Sequence, residues 1–177
     1  ANRHILAYVA DLENHRNAEL CGCSREWARS FPASAGVYSV FDFNKKLIYV
    51  GETGSLTGRM RDLLDTRNHT LRRQLGKALF DALPQFKPAT SKSKFPDAIE
   101  DKLNDYMRNN LSVVALPVML GRKEIEEEAI RKHNPEFNQK GRRGGMEQRA
   151  ARGSRQKFDQ AMAKVADVEP PAEDRIR

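Results

Sequence analysis

The stretch GVYSVFDFNKKLIYVGETGSLTGRM, residues 36–60, decides the fold of this chain. It contains two apolar runs, 37–43 and 47–50, which are separated by three polar residues. Two short apolar runs around a polar turn are typical of a β-hairpin. The pattern therefore predicts two neighbouring antiparallel strands, one carrying Tyr38 and the other Tyr49.

A helix is predicted directly after this hairpin. The second strand is expected to end at Gly51, and Ser55 supplies a side-chain oxygen suited to a helix N-cap. Apolar side chains then recur at helical spacing, at Leu56, Met60, Leu63 and Leu64. Arg59 lies within this helix, so the pattern places its guanidinium beside the mouth of the hairpin.

Apolar periodicity and turn residues predict the remaining elements. They indicate helices over 69–83, 97–109 and 124–133, and a buried strand over 111–120. The last helix should stop at Asn134, because the residue before a proline is pushed out of the helical conformation. The predicted fold class is α+β, with a small three-stranded antiparallel sheet flanked by helices.

The two ends of the chain differ from this centre. Residues 1–33 carry a helical apolar stripe, and we predict an N-terminal helical extension there, followed by a single domain over 34–140. Residues 141–177 are polar and mainly basic. We expect a partly disordered C-terminal extension that orders only on contact with a partner.

The composition favours a polyanionic partner. The 177 residues carry a formal net charge of +7 and a sequence pI of about 9.6, and lysine and arginine displace counterions from phosphate backbones. No apolar stretch approaches the roughly 20 residues of a membrane span, and no signal-peptide pattern is present, so we expect a cytoplasmic protein. The spacing of Cys21 and Cys23 favours reduced, structural thiols over a disulfide framework.

Several motifs occur together in a fixed order. Arg59 follows Tyr49 by ten residues, and Asn138 follows Glu126 by twelve. Together with Gly36-Val37-Tyr38 and Tyr49-Val50-Gly51, they make roughly residues 34–140 resemble the GIY-YIG nuclease family. The resemblance implies a metal-dependent DNA endonuclease that hydrolyses a phosphodiester bond with one divalent cation, Mg²⁺ or Mn²⁺.

The resemblance also gives each of these residues a role. Tyr38 corresponds to the tyrosine that contacts the attacking water as a general base, and Tyr49 to the one that orients the scissile phosphate. Arg59 would donate two hydrogen bonds to the phosphate and stabilise its developing charge. Glu126 would be the metal ligand, because Mg²⁺ prefers oxygen ligands supplemented by water and phosphate. Asn138 would hold the end of the Glu126 helix or a phosphate oxygen.

Each residue also has a purely structural interpretation. The tyrosines could pack in the sheet, Arg59 could lie on a basic surface, and Asn138 could cap a loop. Glu126 stands in a run of acidic residues, which is typical of a solvated helix face, and only the twelve-residue step to Asn138 selects it. A phenol has an ordinary pKa of about 10, so Tyr38 needs a nearby cation to act as a base.

Two positions depart from the family pattern. Leu63 stands four residues after Arg59, where many members carry histidine or tyrosine, and His69 is the candidate catalytic substitute. The alternative is that His69 is a surface residue at a helix start. Glu52 stands where some members have lysine, and would put negative charge near the phosphate or add a metal ligand.

DNA is the partner that this interpretation predicts. Basic side chains outside the catalytic cluster are the candidates for phosphate contacts: Arg72, Arg73, Lys92, Lys94, Arg142 and Arg143. A homodimer would account for a double-strand cut by an enzyme with one site, and we expect a stand-alone role in restriction or phage defence.

Two other functions are compatible with the sequence. One is a catalytically inactive nucleic-acid-binding module that retains the GIY-YIG fold, in which Glu52 and Leu63 record lost activity. The other is a ribosome- or RNA-associated basic protein whose tyrosines only stack or pack. Loss of cleavage without loss of DNA binding on substitution of Glu126 separates the nuclease from the first, and metal dependence separates it from the second.

Overall fold

The computed structural model describes residues 2–138, which form an α+β fold around a four-stranded antiparallel sheet. The strands are β1 (Glu19–Leu20), β2 (Gly36–Phe41), β3 (Leu47–Thr53) and β4 (Ser112–Pro117). The helices are α1 (Arg3–Glu13), α2 (Arg25–Arg29), α3 (Leu56–Asp62), α4 (Thr70–Phe80), α5 (Asp97–Asn110) and α6 (Arg122–His133), with a 3₁₀ turn at His15–Asn17.

The predicted hairpin is confirmed by the pairing of β2 with β3, which runs from Gly36 opposite Thr53 to Phe41 opposite Leu47. The first strand stops before Asp42 because that side chain starts the turn. Its Oδ1 accepts the backbone N–H groups of residues 44 and 46, each at 2.9 Å. Such aspartate-centred bonds compete with strand pairing and favour a turn.

The sheet order is β1-β4-β2-β3, so the prediction of three strands was wrong. β1 pairs with the start of β4, with Leu20 opposite Ser112. It is only two residues long and both are exposed, so it has no alternating pattern that could have indicated a strand. β3 forms the other edge of the sheet.

The sheet is covered on both faces. Successive strand residues point to opposite faces: Val37 packs with Val9, Leu12 and Ile125 in a core between the sheet, α1 and α6. On the other face, Leu56 of α3 lies against Gly36, where a Cβ would overlap the backbone oxygen of residue 116 and the Leu56 side chain. The two strands that carry the tyrosine motifs are thus held between helices on both faces of the sheet.

The predicted N-terminal extension packs into this same core. Beyond the apolar contacts of α1, the Glu13 carboxylate accepts hydrogen bonds from Lys132 at 2.7 Å and His133 at 2.6 Å, which ties α1 to the end of α6.

Cys21 and Cys23 are free thiols whose Sγ atoms lie 3.4 Å apart. Among residues 2–138, no helix has the length and apolarity needed to cross a membrane.

Candidate active site

The ring of Tyr38 is enclosed in the middle of the sheet. Tyr38 on β2 is opposite Gly51 on β3 and is fully buried. A Cβ at position 51 would overlap the ring and hydroxyl of Tyr38. Gly51 therefore leaves the space that the phenol occupies, which explains physically why the Tyr49-Val50-Gly51 motif ends in glycine.

Two nitrogen atoms converge on the Tyr38 hydroxyl. Nε of Arg59, on α3, donates to this oxygen at 3.1 Å. Nε2 of His69 lies 2.9 Å from the same oxygen. Residues from β2, α3 and the start of α4 therefore meet at one phenolic oxygen.

His69 is the N-cap of α4, and this cap fixes its tautomer. The backbone N–H of Leu71 donates to Nδ1 at 3.2 Å, so Nδ1 carries no proton and the proton of the neutral ring lies on Nε2. Burial lowers the pKa of His69 well below its ordinary value, and Arg59, Arg73 and Arg72 lower it further. The neutral imidazole thus donates to Tyr38. His69 is fully buried, which excludes the alternative of a surface residue at a helix start.

The environment of Tyr38 favours the protonated phenol. Burial raises the pKa of Tyr38 well above its ordinary value, Tyr49 adds to this, and Arg59 offsets it only in part. A hydroxyl has two lone pairs and one proton. Since Arg59 and His69 occupy both lone pairs, the remaining capacity of the neutral Tyr38 hydroxyl is to donate its own proton.

Tyr49 and Arg59 lie at the open side of this cluster. The half-buried Tyr49 ring has its centroid 5.9 Å from that of Tyr38 and 5.4 Å from that of His69. Nη1 of Arg59 donates to the backbone oxygen of Asn68 at 3.3 Å and pairs with Asp62 at 3.5 Å. The Arg59 side chain keeps 25% of its surface exposed, so an anion can approach a guanidinium whose direction is fixed.

Glu126 lies on α6, and Asn138 follows that helix and contacts the edge strand β3. The α6 residues Ile125 and Ala129 are buried in the core, and Glu126 itself is half-buried. Asn138 accepts the Val50 N–H at 2.8 Å and donates to the Val50 carbonyl at 2.7 Å. The amide thus completes the hydrogen bonds of the edge strand between Tyr49 and Gly51, and fixes the chain that follows the Glu126 helix.

The side chains available for a metal are oxygen donors. Within residues 2–138 there is no cluster of three or more histidine, cysteine, aspartate or glutamate side chains that could hold a metal ion. A cation at Glu126 would therefore have few protein ligands and would be completed by water and substrate oxygens. This donor set fits Mg²⁺, which keeps several waters and is commonly bound through one or two carboxylates and phosphates.

Glu52, one of the two positions that depart from the family pattern, forms an ion pair. Nε of Arg122, the first residue of α6, donates to the Glu52 carboxylate at 3.2 Å. The same arginine donates from Nη1 to the carbonyl of Met119 at 2.9 Å. The negative charge of Glu52 is therefore compensated within the fold.

The structure contradicts the prediction that Arg72 contacts DNA. Arg72 is only 1% exposed. Its Nη2 donates to Glu100 and to Asn104, each at 2.7 Å, and its Nε donates to Thr66 at 2.9 Å. A buried, fully engaged guanidinium holds α4, α5 and the loop before His69 together, and cannot reach a phosphate backbone.

The other candidate phosphate contacts differ in accessibility. Arg73 is half-buried and donates from Nη1 to the carbonyls of residues 66 and 67, at 2.9 and 2.7 Å. Lys92 is exposed, and Lys94 is exposed but lies 3.9 Å from Asp65. Arg142 and Arg143 lie outside the described residues. Sequence reasoning missed Thr66, Glu100 and Asn104, because no local pattern shows which distant residues surround a buried arginine.

Comparison with known proteins decides the family. The sequence matches the GIY-YIG catalytic domain over residues 34–156, which is more than half of the chain. The chain belongs to the GIY-YIG family. It is therefore an enzyme of the endonuclease type, and the family implies DNA as its substrate.

Solved structures of other GIY-YIG domains align with the chain at low identity. The N-terminal GIY-YIG endonuclease domain of UvrC from Thermotoga maritima, bound to its catalytic magnesium, is 20% identical. The alignment covers 64% of this chain and 93% of that domain, with a TM-score of 0.34. A point mutant of the same domain, bound to its catalytic divalent cation, is 18% identical over 64% of this chain and 92% of that one, with a TM-score of 0.35. No curated protein matches the chain.

Proposed function

We propose that this protein is a metal-dependent DNA endonuclease whose active site is built around the Tyr38 hydroxyl. The observation that carries the proposal is the convergence of Arg59 and His69 on that hydroxyl, at 3.1 and 2.9 Å. A purely structural tyrosine needs one hydrogen-bond partner. Two directed nitrogen donors, of which one is always charged, form an arrangement suited to a reacting group.

Glu126 is the proposed ligand of the divalent cation, Mg²⁺ or Mn²⁺, since a carboxylate is a hard oxygen donor. Such a cation would neutralise charge on the phosphate and on the leaving oxygen. The UvrC domain with bound magnesium supports this choice of cofactor. Asn138 is proposed to have a positioning role. Its two hydrogen bonds to the Val50 backbone hold the segment after α6 against the strand that carries Tyr49.

The remaining residues bind and orient the substrate. Arg59 binds a phosphate oxygen with its exposed guanidinium face while its Nε keeps Tyr38 in place. Tyr49, on the edge strand, orients the scissile phosphate. The neutral Tyr38 hydroxyl keeps its proton and donates a hydrogen bond that positions the water or the phosphate oxygen at the site. The proton that the attacking water loses would pass to solvent through the water shell of the cation. His69 directs the Tyr38 hydrogen bond outward by occupying a lone pair of the same oxygen.

The inactive-module interpretation is not favoured, because each departure from the family pattern has a counterpart. Leu63 is fully buried in the core, and His69 reaches the Tyr38 hydroxyl instead. Glu52 is paired with Arg122. Neither departure therefore leaves the site without a polar group at the Tyr38 hydroxyl or with an unpaired charge at position 52.

Incubation of the protein with supercoiled plasmid, with Mg²⁺ or with a chelator, tests the proposal. The expected result is nicked or linear plasmid with the metal only, and intact plasmid with chelator. Cleavage that persists in chelator would contradict metal dependence. Intact plasmid under all conditions, together with metal-independent binding of RNA at an affinity similar to that for DNA, would favour the RNA-associated alternative. A role in restriction or phage defence is part of the proposal, and phage plaque counts on a host expressing the wild-type or the Glu126→Gln protein test it.

A further inference from the structure

Two free thiols lie against each other in the turn that follows β1. The Sγ atoms of Cys21 and Cys23 are 3.4 Å apart and share a hydrogen bond. These are the two cysteines of the 177-residue chain. The proposed active site does not use them, and the sequence alone predicts only reduced, structural thiols.

The turn that holds this pair is fixed by its neighbours. The Cys21 N–H donates to the carbonyl of Leu111, directly before β4, at 2.9 Å. Gly22 lies against Trp27, and a Cβ at position 22 would come within 2.6 Å of the Trp27 side chain. Cys23 has a φ of 47°, a left-handed conformation that is uncommon for a residue with a side chain. The close approach of the two Sγ atoms is therefore set by the backbone of the turn.

The two thiols differ in accessibility. Cys21 is 1% exposed, whereas Cys23 is half-buried. A thiol that is shielded from solvent behaves as a small apolar side chain and is chemically inert, and Cys21 by itself fits that description. Cys23 is accessible to a small solute and is in contact with a second thiol.

The surroundings of the two thiols separate them in the same order. The hydrogen bond with Cys21 lowers the pKa of Cys23 below its ordinary value. Arg72 and Arg108 lower it further, whereas burial and Asp105 raise it. The hydrogen bond with Cys23 raises the pKa of Cys21, as does burial. The pair therefore favours a Cys23 thiolate that accepts a hydrogen bond from the Cys21 thiol, and the thiolate is the reactive form of cysteine.

We propose that Cys21 and Cys23 form a peroxide-reactive dithiol, in which Cys23 is the attacking thiolate and Cys21 the resolving thiol. The Cys23 sulfur attacks one oxygen of hydrogen peroxide. An S–O bond forms as the O–O bond breaks, which gives the sulfenic acid of Cys23 and hydroxide. The Cys21 sulfur then attacks the Cys23 sulfur, so that the S–S bond forms, the S–O bond breaks, and the hydroxyl leaves as water with the Cys21 proton. The two sulfurs lose two electrons in total, and the peroxide is reduced to water.

The second step needs only a small movement. A disulfide bond is about 2.05 Å long, so the two Sγ atoms must approach each other by about 1.4 Å from their present separation. Rotation about the side-chain bonds of the two cysteines supplies a movement of this size. A sulfenic acid that forms beside a thiol condenses with it to a disulfide, which protects the sulfur from irreversible oxidation.

A bound metal ion accounts for the pair less well. Structural zinc is held by four protein ligands, usually cysteine and histidine. Within residues 2–138 no group of three or more histidine, cysteine, aspartate or glutamate side chains is placed to hold a metal. Two thiols in contact, without further ligands, instead have the composition of a disulfide-forming pair.

Intact-mass measurement tests the dithiol directly. The full chain is reduced, freed of reductant, treated with hydrogen peroxide, and then unfolded in urea with iodoacetamide. The expected product has lost two hydrogen atoms and takes up no alkyl group, and dithiothreitol restores two alkylatable thiols. Because the chain has two cysteines, this product identifies the bond. Methionine oxidation is distinguished, since it adds oxygen.

Single substitutions assign the two roles. Cys21→Ala keeps the attacking thiol and should stop at the sulfenic acid, which dimedone traps. Cys23→Ala keeps only the buried thiol and should react with peroxide about tenfold more slowly than Cys21→Ala, or more slowly still. Urea denaturation checks that both variants are folded. The wild-type mass measurement needs neither variant, so it decides whether the bond forms even where a variant does not fold.

Trp27 provides a readout in the folded protein. It is the one tryptophan of the chain and packs against Gly22, between the two cysteines. Its fluorescence should change as the disulfide forms in the wild type, and dithiothreitol should reverse the change. Cys23→Ala is the matched control, because it keeps Trp27 and Gly22 but cannot form the bond.

Three results would contradict the proposal. Folded protein whose two thiols both remain alkylatable after peroxide, or which gives only disulfide-linked dimers, would overturn the dithiol. Equal reaction rates of the two single variants would overturn the assignment of Cys23 as the attacking thiol. The reaction requires neither DNA nor a metal ion, so these outcomes are independent of the nuclease assignment.

Discussion

Replacement of His69 by asparagine and by alanine separates the two contacts that this side chain makes. His69 caps α4 through Nδ1 and donates to Tyr38 through Nε2. Asparagine is a favoured N-cap residue, so His69→Asn keeps an acceptor for the Leu71 N–H but is too short to reach Tyr38. His69→Ala loses both contacts.

The expected magnitudes follow from these contacts. The asparagine variant should be more stable than the alanine variant by about 1 kcal/mol, the usual contribution of an N-cap side chain. Both should cleave plasmid about 100-fold more slowly than wild type, because removal of one preorganised donor from an active site has an effect of that order. Urea denaturation measures the free energy of unfolding, and single-turnover plasmid cleavage with Mg²⁺ measures the rate.

The pH dependence of stability gives an independent readout. Burial holds the pKa of folded His69 well below 6.5, its ordinary value and the value expected in the unfolded chain. Below about pH 6.5 the unfolded chain therefore binds a proton that the folded chain does not, so this group lowers stability as pH falls, by at most about 1.4 kcal/mol per pH unit. The wild type should lose more stability than His69→Asn between about pH 6.5 and about pH 5.5.

Wild-type cleavage by a folded His69→Asn variant would refute the catalytic role and leave His69 as a helix cap. Equal stability of the asparagine and alanine variants would refute the assigned tautomer, because the Leu71 N–H would then have no bond to Nδ1. Identical pH dependence of the wild type and the asparagine variant would show that the folded protein does not keep the ring neutral.

Two further substitutions test the supporting structure by urea denaturation. Arg72→Met should destabilise the protein by about 3 kcal/mol, because the half-buried Glu100 carboxylate loses its cationic partner and keeps only hydrogen bonds from Thr66 and the Phe95 N–H. Adding Glu100→Leu should recover part of that loss. A loss of DNA affinity at unchanged stability would instead favour the original phosphate-contact prediction. Asn138→Ala should cost about 1–3 kcal/mol, because both polar groups of Val50 lose their partner at the sheet edge, and unchanged stability would show that water replaces the amide.

The parts of the fold that depend on local pattern could be predicted from the sequence. The apolar runs around 44–46 gave the hairpin, and Ser55 caps α3 with its hydroxyl as expected, accepting the Gly58 N–H at 3.1 Å. β1 could not be predicted, since two exposed residues have no periodicity and pair only because β4 lies beside them.

The candidate site also has parts that a local sequence pattern predicts and parts that depend on contacts between distant residues. The order and spacing of the motif residues identified the family, yet the partner of Tyr38 depends on a contact between residues 31 positions apart. Arg72 was misplaced for a related reason: on a leucine-rich helix an arginine normally points to solvent, and its burial depends on Glu100, which lies 28 residues away on α5. Tertiary contacts of this kind leave no local signal.

Cleavage of supercoiled plasmid by Glu126→Gln and Glu127→Gln proteins is the measurement that tests the metal-dependent nuclease most directly. Both substitutions remove one carboxylate from the same turn of α6, but Glu127 is exposed whereas Glu126 is half-buried. With Mg²⁺, Glu127→Gln should nick plasmid at nearly the wild-type rate, and Glu126→Gln should leave it intact while still retarding it on a gel. Full cleavage by Glu126→Gln, or equal loss of cleavage in both variants, would contradict the assignment of Glu126 as the metal ligand.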